Sequence, residues 1–313
     1  MNIISVADNK NNQVKKHNNI IKAKGSLSNT SQKMLAMLIG MVRTDDSEFQ
    51  KYALRIEDYR REIESKNKDT EFYVKQAEEL MKNPFRIDKK LFNWCSMVDW
   101  GNVEGYIVFS IHNDLKPYLL NLQEHFTTYN IVNILSLRGD YTPRLYEYFL
   151  MEFNEFKSIY KKKYQKIPKS YTIEIEIDWL REHFSISKGY RYNDIKRQII
   201  EVAKKQFKAK TDIQIDYIEE KIGRKVNSLK ITIKDNNKGS NDYLTTQKDF
   251  IAYIRKNFIN QNIWQGQGMQ LSVSEKGRIY DKKTLKEYSK EKSLKVWETW
   301  YQLAKENKLL ILK

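Results

Sequence analysis

The sequence predicts an α+β fold: two tandem modules of one helix–strand–helix–helix–hairpin design, followed by a small C-terminal α/β extension. Three observations carry that expectation. Apolar residues switch between helical and strand spacing in the same order twice along the chain. The charge order of Ile56-Glu57-Asp58-Tyr59-Arg60-Arg61-Glu62-Ile63 returns in Ile177-Asp178-Trp179-Leu180-Arg181-Glu182-His183-Phe184, each time after an alternating strand. The third observation is charge. Of the formal net charge of +16, residues 1–154 hold 21 basic and 20 acidic side chains, residues 155–235 hold 20 and 12, and residues 236–313 hold 15 and 8. A compositional bias would act on the whole chain; an excess confined to the later half points to a polyanion-binding surface there.

Residues 1–24 are polar, rich in Asn and Lys, and read as a mobile arm without the apolar core of a signal peptide. The first module is expected over residues 25–135. Ser28, Asn29 and Thr30 are candidate N-caps for a helix whose apolar face is Met34, Leu35, Leu38, Ile39 and Val42. Tyr52, Leu54 and Ile56 alternate as a strand that runs into a short charged helix. A polar turn at 65–69 precedes a longer helix with Phe72, Ala77, Leu80 and Met81 inward. Residues 92–98 and 106–111 then form a hairpin through Gly101-Asn102 and Gly105. This is the layout of a winged helix, the hairpin being its wing.

The second module is expected over 136–235. Thr142-Pro143 starts a helix through Leu145, Tyr148, Phe149 and Phe153, proline being preorganised for the first helical position. A basic connector over 157–169 leads to a strand with Tyr171, Ile173 and Ile175, and then to the repeated short helix. The next helix, 193–208, turns Ile195, Ile199, Ala203 and Phe207 inward. Two alternating strands make a hairpin around Gly223-Arg224-Lys225. In the extension, 236–313, residues 236–240 are a linker, 250–258 an amphipathic helix and 269–280 a hairpin turning at Lys276-Gly277. Val296, Trp297, Trp300, Leu303 and Ala304 stripe a final helix.

The candidate functional residues cluster in the second module. Lys188, Arg191, Tyr192, Asn193, Lys196 and Arg197 stand before and across the start of the 193–208 helix. With Ile195, Ile199 and Phe207 inward, Asn193, Lys196, Arg197 and Lys204 point outward. A recognition helix contacts base edges through its N-terminal residues, and Arg and Asn suit guanine and adenine edges in the major groove. Lys221, Arg224 and Lys225 sit at the hairpin tip, within reach of phosphates. The corresponding helix of the first module mixes Glu71, Lys75, Glu78, Glu79 and Lys82 and so gains little from phosphates overall, with Lys66, Lys68, Lys75 and Arg86 as candidate contacts; the module's neutral charge also suits protein–protein contact.

Catalytic readings find little support. His17, His112, His125 and His183 show no metal-ligand spacing, one cysteine precludes an intramolecular disulfide or a cysteine zinc site, and no Lys-Ser/Thr follows Gly266 and Gly268. No catalytic residue, metal or cofactor is expected, nor a membrane partner, since no apolar run reaches the roughly 20 residues a span requires. The sequence thus predicts a cytoplasmic binder of double-stranded DNA. A nicking initiator or nuclease using one of the 20 tyrosines, and a plain transcriptional repressor, are the alternatives.

Three stretches resemble the replication initiators of iteron-containing plasmids, a family built from two winged helices. They are Phe126-Thr127-Thr128-Tyr129 through Arg144-Leu145-Tyr146-Glu147; Trp179-Leu180-Arg181-Glu182-His183-Phe184; and Tyr190 to Arg197 together with Thr211-Asp212-Ile213 to Gly223-Arg224-Lys225-Val226. The resemblance spans roughly residues 25–235. It implies a protein that binds repeated origin sites, helps open the neighbouring duplex and recruits host replication proteins such as a helicase and an initiator. It also implies that a monomer initiates while a homodimer, joined through the first module, represses its own gene. Arg191, Asn193, Lys196 and Arg197 become base or phosphate contacts. Gly139-Asp140 departs from the small or basic residues usual before the tyrosine.

Overall fold

The computed structural model describes residues 13–43, 46–236 and parts of 262–296, and the chain divides into two compact units, Met1–Asn236 and Asn237–Lys313. From residue 13 onward the expected arm is part of the first unit. Gln13–His17 (β1) pairs antiparallel with the strand at residues 126–130, and Asn18–Ile21 (α1) follows at once. Val14 and Lys16 both face inward and are buried. Lys16 Nζ lies 2.6 Å from Glu147 Oε1, and Asn18 Nδ2 donates to Glu155 Oε1 at 2.7 Å. An inward lysine whose partner lies far along the chain hides the strand's alternation, which is why the segment reads as loose. Residues 1–12 of the expected arm lie outside the described residues.

Asn29–Met41 (α2) is capped by Ser28, whose side chain accepts the Ser31 N–H. The sequence predicts one apolar face, but α2 is buried on every side from Ser31 to Met41 because other elements of the first module pack around it. Lys51–Arg55 (β2) runs directly into Ile56–Glu62 (α3), and Thr70–Lys82 (α4) follows. Phe85–Ile87 (β3) and Lys90–Phe92 (β4) form a small hairpin, so the strand expected over 92–98 is divided. Phe92 closes β4, and Cys95–Asp99 (β5) begins the wing that Tyr106–Ile111 (β6) completes. Lys116–Leu119 (α5), Phe126–Asn130 (β7) and Ile131–Ser136 (α6) lead to the second module.

There, Thr142–Tyr164 (α7) is a 23-residue helix, longer than expected, because it absorbs most of the basic connector. Phe156, Tyr160 and Tyr164 keep helical spacing through the lysines, with ring centroids 5.6 and 4.5 Å apart. Ser170–Glu176 (β8) runs into Ile177–His183 (α8). Tyr192–Ile195 (α9), a π-helical turn at Lys196–Ile200 and Glu201–Lys210 (α10) form one continuous helix. Ile213–Ile222 (β9) and Lys225–Asp235 (β10) are the wing.

The two modules share topology. The first sheet has the order β2-β6-β5 and the second β8-β10-β9, so in each the strand before the short helix pairs with the last strand of the wing. Both short helices have seven residues, and both chains leave through a left-handed residue, Glu64 at φ 53° and Ser185 at φ 55°. The second unit contains a four-stranded antiparallel sheet: Asn262–Gly266 (β11), Met269–Val273 (β12), Ile279–Asp281 (β13) and Lys286–Glu287 (β14). β12 and β13 are the strands of the expected hairpin. The turn at 276–277, the helix at 250–258 and residues 297–304 lie outside the described residues. No helix among the described residues is long and apolar enough to cross a membrane.

The modules are joined by polar contacts around α7. Arg144, partly buried, donates through Nη2 to Ala23 O at 2.9 Å and His183 O at 3.2 Å, and through Nη1 to Gly25 O. Burial lowers its pKa to about 10. Asp140 Oδ1 accepts the Asn29 N–H at 2.9 Å, so the acidic residue that departs from the resembled pattern stabilises the start of α2. Beneath Arg144, the buried His183 ring stacks on Trp179 at 4.4 Å and 12°; burial, then Arg144, then Lys24 lower its pKa to about 4.

Arg144→Ala leaves three carbonyls without this donor and is expected to lower stability by about 3 kcal/mol, read by urea unfolding. For His183 the sign follows from linkage. Between pH 6.5 and about 4 the unfolded chain takes up a proton that the folded imidazole refuses, so stability falls as pH drops through that window. The contribution is on the order of 3 kcal/mol. His183→Gln should therefore flatten the pH dependence of unfolding in that range, and an unchanged slope refutes the assignment.

Candidate nucleic-acid interface

The second module's long helix begins where the loop after α8 turns back. Arg191 occupies the N-cap position, and its backbone N–H donates to Asp194 Oδ2 at 2.9 Å. The other carboxylate oxygen of Asp194 lies 3.7 Å from Arg197 Nη2. One acidic side chain thus holds the helix start and faces an arginine whose side chain remains 77% exposed. Lys188, Arg191 and Asn193 are also exposed. Tyr192 is half-buried, and burial followed by Glu219 raises its phenol above the ordinary value.

The helix does not keep one geometry throughout. Four-residue steps on an ideal α-helix advance by about 40° each, so Ile195, Ile199, Ala203 and Phe207 would drift off a single face. The π-helical turn inserts a residue and rotates the later positions back, and all four are buried. Their uniform spacing of four was the sequence signal for this turn.

Two of the lysines expected to point outward are engaged by the wing. Lys196 Nζ lies 2.7 Å from Glu219 Oε1, and Lys204 Nζ lies 2.7 Å from Asp216 Oδ1, both acids being on β9. Each carboxylate is held below its usual range by its lysine. Tyr217 OH donates to Glu201 Oε1 at 2.6 Å across the same groove. Helix and wing are therefore sewn together along their length. Lys221, Arg224 and Lys225, at the far end, are exposed and form no ion pair among the described residues. The tip is a two-residue turn with Gly223 at φ 61°, a conformation that glycine adopts without steric cost.

In the first module the equivalent helix, α4, presents paired charges. Lys75 lies 3.9 Å from Glu71, and Lys82 is 2.5 Å from Glu78. Among the described residues no group of three or more His, Cys, Asp or Glu could hold a metal ion. Cys95 is buried, and burial pushes its thiol up to about 12.

Comparison with known proteins gives this architecture a family. Residues 13–150 match the family described as "Initiator Replication protein, WH1", and residues 176–233 match "Initiator Rep protein, WH2". Together these cover more than half of the sequence. The chain belongs to the initiator Rep protein family. It is 27% identical over 163 residues to the PI protein of Escherichia coli, covering 47% of this chain and 49% of that one. It is 23% identical over 183 residues to a replication initiation protein of Escherichia coli, covering 58% and 50%. The chain thus spans about half the length of the curated relatives it matches. Its fold resembles that of the Pi initiator protein crystallised in complex with iteron DNA, with a TM-score of 0.55 and 18% identity over 72% of this chain and 98% of that one.

Within this Rep chain, sequence reasoning missed Asp194, Asp216 and Glu219, the acids that organise the site. The i, i+3 spacing of Asp194 and Arg197 was a local signal for the first. The other two are set by the register of β9 against α10, which no local pattern encodes.

Proposed function

We propose that this chain is a plasmid replication initiator that binds repeated origin sequences in duplex DNA and carries out no chemistry of its own. The observation that carries the reading is the distribution of exposed cations on the second winged helix: Lys188, Arg191 and Arg197 at the helix start, and Lys221, Arg224 and Lys225 at the wing tip. Two basic patches flanking one helix suit a duplex whose major groove receives the helix while the wing follows the backbone. Family membership supports the same reading, as does the iteron DNA bound by the Pi initiator protein.

In this proposal Arg191, Asn193 and Arg197 read base edges, with Asp194 fixing the approach of Arg197. Lys188, Lys221, Arg224 and Lys225 contact phosphates. Lys196 and Lys204 reach DNA only by giving up Glu219 and Asp216, so they mainly hold the wing against the helix. Tyr192 packs beneath that edge, and Lys75 adds a contact from the first module. Opening of the adjacent duplex, recruitment of a host helicase and initiator, and repression of its own gene by a homodimer complete the proposed role.

Selection of bound duplexes from a random pool, followed by probing of a supercoiled origin for single-stranded DNA, tests the reading. Recovery of repeats without opening would make the protein a repressor; a nicked product with a divalent metal would make it a nuclease. For about six neutralised phosphates, log K is expected to fall against log salt with a slope near −5. Replacing Arg224 and Lys225 by Gln should flatten that slope by about 2 on every duplex, whereas Lys204→Gln should change it less. Arg197→Ala is expected to weaken the selected site by roughly 1–3 kcal/mol and random duplex much less, measured by titration at fixed salt.

A further inference from the structure

Two large apolar side chains stand in water on the wing of the second module: Ile218 is 67% exposed and Ile222 is 70% exposed. They lie four residues apart on β9, the edge strand, and so share one face of the ribbon. Their surroundings differ. Ile218 sits among satisfied charges, since Glu219 pairs with Lys196, while Glu220 pairs with Lys230, which stands opposite Ile218 across the ladder. Ile222 ends the strand, opposite Lys225 and beside Gly223. Around it are Lys221, Arg224 and Lys225, all exposed and without an ion pair among the described residues.

An apolar side chain gains free energy only when something covers it, and the three cations around this one select a polyanion as the cover. We propose that Ile222 is a wedge that enters the minor groove of the bound duplex and partly unstacks a base step, bending the DNA. This inference rests on the duplex-binding reading above and deepens it. The dimensions agree. The minor groove is about 6 Å wide, which admits one side chain from a two-residue turn but not a whole β-ribbon. Branched aliphatic side chains kink DNA in this way when phosphate contacts on either side hold them in place. Lys221, Arg224 and Lys225 provide those contacts, and Gly223 at φ 61° lets the turn remain tight. Pyrimidine–purine steps unstack most readily, so a TA step is expected under the wing.

The pair of isoleucines supplies its own control. With a duplex selected by the full chain and carrying 2-aminopurine beside the wing, binding should raise the probe's fluorescence and shorten the end-to-end distance read by energy transfer. Ile222→Ser should abolish most of both signals and weaken binding about tenfold, with the melting temperature unchanged because the side chain is exposed. Ile222→Leu should retain both signals, and Ile218→Ser should behave as wild type. Equal bending by Ile222→Ser and wild type overturns the wedge while leaving duplex binding intact, as does an equal loss in Ile218→Ser. A wild-type chain that selects no duplex overturns both readings. Binding of anionic phospholipid vesicles that depends on Ile222, without any effect on DNA, assigns the tip to a membrane surface instead and overturns the wedge.

Discussion

The arrangement of the two winged helices depends on a partly buried guanidinium that donates to three backbone carbonyls. Arg144 spends its donors on the carbonyls of Ala23, Gly25 and His183, which belong to the segment entering the first module and to the end of the second module's short helix. Carbonyls at these places would otherwise be hard to satisfy, and a desolvated charge tolerates few alternative partners. Lys16 with Glu147 and Asp140 with the start of α2 add contacts that only this relative placement allows. The result is one compact unit and not two beads on a linker.

That constraint bears on the surface. With the helix–wing groove stitched by Lys196–Glu219 and Lys204–Asp216, two of the three acidic residues of β9 are engaged at the helix, and the third, Glu220, pairs with Lys230 on β10. Positive charge is left at the two ends of the motif, the start of the helix and the tip of the wing. The net charge of the module therefore understates its polarity: cations that look equivalent in composition divide into those that hold the site together and those that remain available.

The repeated topology also shows how one design is tuned. In α4 the surface charges pair along the helix itself, Lys75 with Glu71 and Lys82 with Glu78, whereas in the second module Lys196 and Lys204 pair with acids on the wing while Arg197 faces Asp194 on its own helix. The π-helical turn is a second adjustment, since it keeps four inward residues aligned while altering which outward residues lie beside the wing.

Much of this could be read from local pattern. Alternation fixed β2, β8 and the strands of the second wing, and the echo of residues 56–63 in 177–184 revealed the duplication, because periodicity of two or near four is imposed by backbone geometry and needs no knowledge of distant partners. Strands such as β1 escaped because Lys16 is inward only by virtue of Glu147, far along the chain. The central burial of α2 depends on neighbours packing around it, and the length of α7 was masked by lysines on a helix whose aromatic residues still kept their spacing. For the site, residue types and their rough location came from sequence, but the division between paired and free lysines came from the register of β9 against α10. Electrostatic partnership is a matter of distance in space, and only the tertiary structure sets that distance.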